Sequence, residues 1–320
     1  MVKQNMGKRG VFYTITALLL MSVFLFSFLS ITKYRYSTKA FVIETRVNTI
    51  NDFIGDVERD IERAVFITSH RALLSMIEII VENQSYIDNV ETRFQELFFN
   101  GTYKNNVTNF MINNSFDIWE DRIKQKAADL DIDIDFINKS VSVGQEDPWH
   151  VHTELSFTLI IGDIKGTANF TKKYDIEADV PIEFFEDPTY RLNTNGLVIK
   201  PVIISNFSYF VGSGCDTTNL EMYNDETMYV AFEDAPSYLK RLEGDLSSDE
   251  NGIESLVNIN EFVMQGMGVY DKSIVDYIYF GGSDPTKYHV QGLDSWFKID
   301  NRTGGTSTHH KLYEIEECIG

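Results

Sequence analysis

"GKRGVFYTITALLLMSVFLFSFLSITKYRY", residues Gly7 to Tyr36, carries no charge between Val11 and Thr32 and has basic residues on both flanks. Wound as a helix at 1.5 Å per residue, the uncharged run covers about 33 Å, enough to cross a hydrocarbon core. A soluble core helix keeps a charged or strongly polar stripe for its wet face, and this run has no charged one. A cleaved secretory signal has a shorter apolar region ending at a small-x-small site. Here the run passes directly into Lys33, Arg35 and Lys39. The stretch therefore reads as a basic leader at 1–10 followed by a retained transmembrane helix at 11–32.

The chain has 320 residues, 43% hydrophobic and 13% aromatic, which is ample for a packed core beyond the membrane segment. Its net charge is −20, with most of the excess acid beyond residue 115. Such a surface is repelled by phosphate backbones, so nucleic acid is excluded as a partner. Only Cys215 and Cys318 can form a disulfide. Bonded, they would close a loop of roughly 100 residues, worth about 4–5 kcal/mol of chain entropy; unbonded, they would be two buried thiols.

Orientation does not follow from the basic flanks. Lys3, Lys8 and Arg9 precede the helix and Lys33, Arg35 and Lys39 follow it, which is nearly a tie. The Asn-x-Ser/Thr sequons at Asn83, Asn100, Asn106, Asn113, Asn138, Asn169, Asn206 and Asn301 break it. Chance would supply about three among 22 asparagines, and sequons matter only where a glycosylation system reaches them. The acidic bulk is expected outside the cytoplasm, on a single-pass membrane protein.

Lys8-Arg9-Gly10 followed by Val11-Phe12-Tyr13-Thr14-Ile15 and an apolar helix resembles the class III signal of archaeal type IV pilins and pilin-like proteins. The resemblance covers mainly residues 7–35. It implies cleavage between Gly10 and Val11 by a membrane peptidase, with the apolar helix as the new N-terminus. Many pilins place a glutamate at the fifth mature position; Ile15 stands there instead, as it can in minor or non-polymerising members. "YRLNTNG", "GIESLVNINEF" and "KSIVDYIYF" also look like segments of archaeal membrane-anchored proteins of this kind.

Beyond the membrane, Val47, Ile50, Ile54, Val57 and Ile61 recur at spacings of three and four, a coiled-coil-like seam. Ala64, Val65, Thr68, Ala72, Met76 and Ile79 continue it, predicting an amphipathic stalk or core helix over 33–83. The seam offers packing to like subunits, or its outer half packs on the chain's own domain. Helices are expected over Tyr86–Phe99 and Ser115–Asp129, the second started by an Asn114 or Ser115 cap. From Ile132 the period becomes two. "IDFINKSVSV", "WHVHTELSFTLII" and "KGTANFTKKYDIEADVPIEF" read as an antiparallel meander that completes an 84–187 unit. Pro188–Gly196 reads as a linker into a loop-rich C-terminal lobe at 188–320. That lobe is expected to hold strands Val198–Ile204, Met228–Phe232 and Leu312–Glu316, and helices Pro236–Leu242 and Ile259–Gly266. The fold class is α+β.

Candidate chemistry is sparse. His150 and His152 share one strand face with Glu154, the spacing of a weak metal site. His309-His310 lies in a polar stretch. Asp129, Asp131, Asp133 and Asp135 have calcium-loop spacing, but Ile134 replaces the needed glycine and no acid closes the loop at Ser140. "VGSGC" around Cys215 puts a cysteine in a turn without an identifiable histidine partner. With no known catalytic motif, no enzyme and no cofactor are expected. The reading is a pilin-like structural or adhesive surface protein, with membrane lipid and like subunits as partners. The alternative is a monomeric ligand-binding or sensing ectodomain with a Tyr- and Phe-rimmed cleft between meander and lobe.

Overall fold

The computed structural model describes residues 8–320 apart from 165, 167, 305 and 306. Most of the expected basic leader, residues 1–7, lies outside the described residues, as do the side chains of Lys8 and Arg9. The architecture is mixed α+β, with a long N-terminal apolar helix and antiparallel sheets.

The first helix, α1 (Lys8–Asn83), runs unbroken for 76 residues, about 114 Å at 1.5 Å per residue. It contains no proline, and Gly10 and Gly55 are its only glycines, so nothing in the sequence interrupts the backbone ladder. Its two halves differ completely in surroundings. From Val11 to Ile43 the described side chains are exposed, except for half-buried Ser22 and Thr32. This portion is long and apolar enough to cross a membrane, with a mean hydropathy of 2.2 in its best window. Arg46 makes the first clamp, pairing with buried Asp163 at 2.7 Å and donating to the Asp131 carbonyl at 2.5 Å. Beyond it Ile50, Ile54, Val57, Ile61, Val65 and Ala72 are buried.

These buried residues are the predicted seam, and the chain's own sheet and helices cover it. The stripe is thus unavailable for lateral packing against another copy. A 3–4 spacing specifies a dry helix face, and a sheet dries that face as well as a second helix would.

α2 (Val90–Asn100) starts at Asn89, whose side chain accepts from the Thr92 N–H, and ends on left-handed Gly101. A short hairpin of β1 (Thr102–Tyr103) and β2 (Asn106–Val107) leads to α3 (Phe116–Asp129), with Ser115 at the N-cap position. Leu130, just past its end, is exposed. The main sheet follows: β3 (Ile132–Asp147), β4 (His150–Asp163) and β5 (Asn169–Pro181), antiparallel and adjacent in chain order. The end of β3, Gly144 to Asp147, carries a register shift against β4. Val151, Leu155, Phe157, Leu159 and Ile161 face the helices, while His152, Glu154 and Ser156 face outward. An aromatic file, Phe98, Phe116, Phe136, Phe157 and Tyr174, crosses the core with neighbouring centroids 5.3–6.4 Å apart. Tyr174 ends it by donating to Glu58 of α1 at 2.6 Å.

The C-terminal lobe consists of short elements. α4 (Pro188–Asn193) occupies the expected linker, with Pro188, Thr189 and Tyr190 buried. Pro188 sits in the first turn, where its missing N–H costs nothing, and Asp187 caps it through the Thr189 N–H. α5 (Thr218–Glu226), β6 (Tyr229–Ala231), α6 (Tyr238–Glu243), β7 (Ile253–Ser255), α7 (Ile259–Met264) and α8 (Asp276–Phe280) follow. Then come β8 (Lys287–His289), β9 (Lys298–Asp300), β10 (Thr303–Gly304), β11 (Ser307–Thr308) and α9 (His309–Leu312). Val198–Ile204 forms isolated bridges at Pro201 and Ile204 instead of the expected strand, and Leu312–Glu316 is the end of α9 and a turn.

The lobe is fastened to the helix-and-sheet half. Ile87 N–H donates to the Leu242 carbonyl at 2.9 Å, Val90 N–H to Glu243 at 2.6 Å, and Leu239 N–H to the Gln145 side chain at 2.9 Å. Gly244, at φ +73°, lies under Tyr86, where a Cβ would stand 2.5 Å from the ring. Only glycine fits that left-handed helix end against the aromatic ring.

Candidate functional site

The residues singled out in the sequence do not converge. His150 and His152 lie on one sheet face, but each imidazole meets its own carboxylate, Asp147 at 3.0 Å and Asp179 at 2.8 Å. Among the described residues no group of three or more His, Cys, Asp or Glu could hold a metal ion, so neither histidine gains a third ligand from Glu154. Asp129, Asp131, Asp133 and Asp135 are all exposed, the solvated side of a chain whose alternate residues Ile132, Ile134 and Phe136 are buried. Gly10 and Val11 are exposed residues within α1. All eight sequon asparagines are exposed. Asn138 sits at a register shift in β3 with φ +54°, where the extra residue is pushed out of the ladder. Cys215 and Cys318 are bonded, with Cα atoms 5.6 Å apart, so Cys215 has no thiolate to offer as a nucleophile.

What the sequence did not disclose is a buried charge network in the lobe. Arg241 of α6 is 0% exposed. Its Nη1 pairs with Asp187 at 2.7 Å and Asp276 at 2.9 Å, and its Nη2 donates to the Ile253 carbonyl. Tyr229 donates to Asp187 at 2.9 Å, and Ser255 links Asp276 to the Tyr190 hydroxyl, both at 2.9 Å. Beside it, His309 lies between Asp300, 3.0 Å from Nδ1, and Glu254, 3.2 Å from Nε2. Tyr277 reaches the same Nε2 at 3.1 Å, and Tyr313 donates to Glu254 at 2.8 Å. Asp300, His309 and Glu254 are all 0% exposed, so the row ties the elements of the lobe together in a dry interior.

The network sets a pH dependence. Burial alone would drive the His309 imidazole down, but Glu254 and Asp300 outweigh it and raise it to about 10. Stability from that group is complete below the ordinary imidazole range and is lost as pH climbs through about 10. Burial pushes the Asp276 carboxyl up to about 6 against the opposing pull of Arg241. An acid raised in the folded state favours folding when protonated, so this contribution also fades as pH rises through about 6. The two effects have the same sign. Burial lowers His70 and His310, which opposes this trend in the ordinary imidazole range, so the thermal midpoint is expected to fall from about pH 7 to pH 10, and His309→Gln should flatten that slope. A midpoint that rises or stays level across this range would contradict the assignment.

Against this rigid block opens a cleft of about 560 Å³, within the usual range of roughly 300–1,000 Å³ for small-molecule sites. One wall is the end of α4 and its turn, Asn193 to Leu197; the other is the Gly266–Tyr270 loop after α7. Phe262, Tyr279 and Phe280 form the floor. The Lys272 ammonium donates to the carbonyls of Tyr279 at 3.4 Å and Gly281 at 2.7 Å, and the Tyr270 N–H donates to the Tyr279 hydroxyl at 3.1 Å. Burial holds the Tyr279 phenol above its ordinary range, so it stays protonated. The cleft lies inside the lobe, not between sheet and lobe as the sensing alternative required. "YRLNTNG", "GIESLVNINEF" and "KSIVDYIYF" meet here: Tyr190 meets Phe280 edge to face at 5.1 Å, and Phe262 packs on Tyr279 at 5.8 Å. A larger space beside Phe28 to Lys39 is only the gap between side chains fanned along the bare helix.

Comparison with known proteins returned no matching family model, no matching curated protein and no matching solved structure.

Proposed function

We propose that the chain is a membrane-anchored, extracytoplasmic, pilin-like surface protein with a structural or adhesive role, assembled as a minor component through its apolar helix. One observation carries this reading. A single unbroken helix is uncharged from Val11 to Thr32, keeps its described side chains largely exposed to Ile43, and becomes the spine of a folded acidic body from Ile50 onward. Such a geometry displays the body at a fixed stand-off: from Thr32 to Arg46 is 14 residues, about 21 Å of helix. Any like-subunit contact then falls to the bare segment, because the Ile50–Ile61 stripe is consumed internally. The exposure of every sequon asparagine supports a body reachable by a glycosylation system.

N-terminal mass spectrometry of native material is expected to begin at Val11, with the chain retained in washed membranes. A soluble cytosolic chain that still begins at Met1 would overturn the proposal. The second reading, a ligand-binding ectodomain on the same anchor, is favoured by the aromatic cleft in the lobe.

A further inference from the structure

From the chemistry of the cleft walls we infer that this pocket binds a neutral saccharide. The inference rests on the lobe being displayed as an ectodomain. Three observations restrict the ligand. First, no carboxylate lines the cleft, although the chain carries 48 acidic residues, so a cation gains nothing there. Among the described residues its one cation, Lys272, spends two of its three N–H donors on the Tyr279 and Gly281 carbonyls, which leaves a single N–H for a ligand hydroxyl and no fork to clasp a phosphate or carboxylate.

Second, a wholly apolar ligand would cover the polar wall at Asn195, since the neighbouring Thr194 hydroxyl is already paired with Tyr190 and Val198. The Asn195 side chain makes no hydrogen bond among the described residues, and covering it with hydrocarbon would leave an amide unpaired. Third, a flat aromatic ligand needs parallel walls. Tyr270 meets Tyr279 at 56° and Phe262 meets Tyr279 at 75°, which leaves no slot. A pyranose matches all three conditions. Its C–H face lies against an aromatic ring whose face is electronegative, and its hydroxyl rim pairs with amide and phenol groups. Tyr270 is the natural platform: it stands at the mouth, 67% exposed, with a hydroxyl that makes no hydrogen bond among the described residues. Gly266 and Gly268 keep the facing loop clear, since a Cβ on either would meet nothing within 4 Å.

The test uses the full chain in micelles without sugar headgroups, probed by saturation-transfer NMR and calorimetry. The probes are cellotetraose, mannotetraose and chitotetraose, with inorganic phosphate and indole as competing chemistries. At least one oligosaccharide is expected to bind with a Kd between about 10 μM and 1 mM. Tyr270→Ala should weaken it at least tenfold and Asn195→Ala about threefold, as loss of a stacking platform and of one hydrogen bond predict. Tyr270 sits at the surface, so its change should not move the thermal midpoint, whereas Asn195 holds φ +51°, which alanine tolerates poorly, so Asn195→Ala should lower it slightly. Absence of binding by all three sugars at about 10 mM, preference for indole or phosphate, or indifference to Tyr270→Ala would each overturn the inference. Retention in washed membranes reads the anchor separately, so failure here leaves that reading standing.

Discussion

Arg241→Ala is expected to destabilise the C-terminal lobe by about 3–5 kcal/mol, a large share of the 5–15 kcal/mol that holds an ordinary domain together. Among the described residues the guanidinium is the only cation touching Asp187 and Asp276, and all three groups are 0% exposed. Removing it leaves two carboxylates facing each other in a dry interior, which costs far more than the hydrogen bonds lost. Asp276, already raised to about 6, would rise further and protonate near neutral pH, limiting the damage to the charge on Asp187. The loss should therefore be smaller at pH 5 than at pH 8. Limited proteolysis should cut within 188–320 first, and urea should unfold the lobe at lower concentration. The triple change Arg241→Met, Asp187→Asn and Asp276→Asn should recover much of the loss, because a neutral core no longer has a charge to compensate. A single Arg241→Ala variant that unfolds at the parent's urea concentration would show that the network does not hold the lobe.

That network also marks the limit of what could be read from the residues alone. Along β4 the alternation of Val151, Leu155, Phe157 and Leu159 with polar neighbours announces a strand, because one face is dry and the other wet. The α1 stripe announces a helix just as plainly, but its partner is a tertiary fact: the same spacing serves a like helix or a sheet. Pro188–Gly196 has the composition of a linker, yet Pro188 opens a short helix that runs to Asn193. Arg241, in "SYLKRLEGD", has the local look of an exposed helix residue, and nothing nearby names Asp187 or Asp276 as its partners. His309 looked solvent-bound in a polar run and is fully buried. The cleft draws on four separate segments, so its only trace in the sequence is the aromatic and glycine richness of the lobe.

Cys215→Ser with Cys318→Ser is expected to cost up to about 4.7 kcal/mol by loop-closure entropy, since the bond closes a loop with a separation of 103 residues. The native tail has other fastenings. Gln291 N–H donates to the Cys318 carbonyl at 2.8 Å, Gly320 N–H donates to the His289 carbonyl at 3.1 Å, and Glu314 accepts from the Phe210 N–H at 2.8 Å. The folded lobe should therefore look unchanged without the bridge, and the effect should act on the unfolded chain. That gives a signature distinct from a packing defect. Stability falls while the urea m-value rises, because the unbridged chain expands and exposes more surface. Equal urea midpoints with and without a reducing agent would refute it. Because Arg241 acts on the native core and the disulfide on the unfolded ensemble, the two losses should add. Their sum, up to about 8–10 kcal/mol, reaches the stability of a typical domain, so a chain lacking both should keep α1 and lose the lobe.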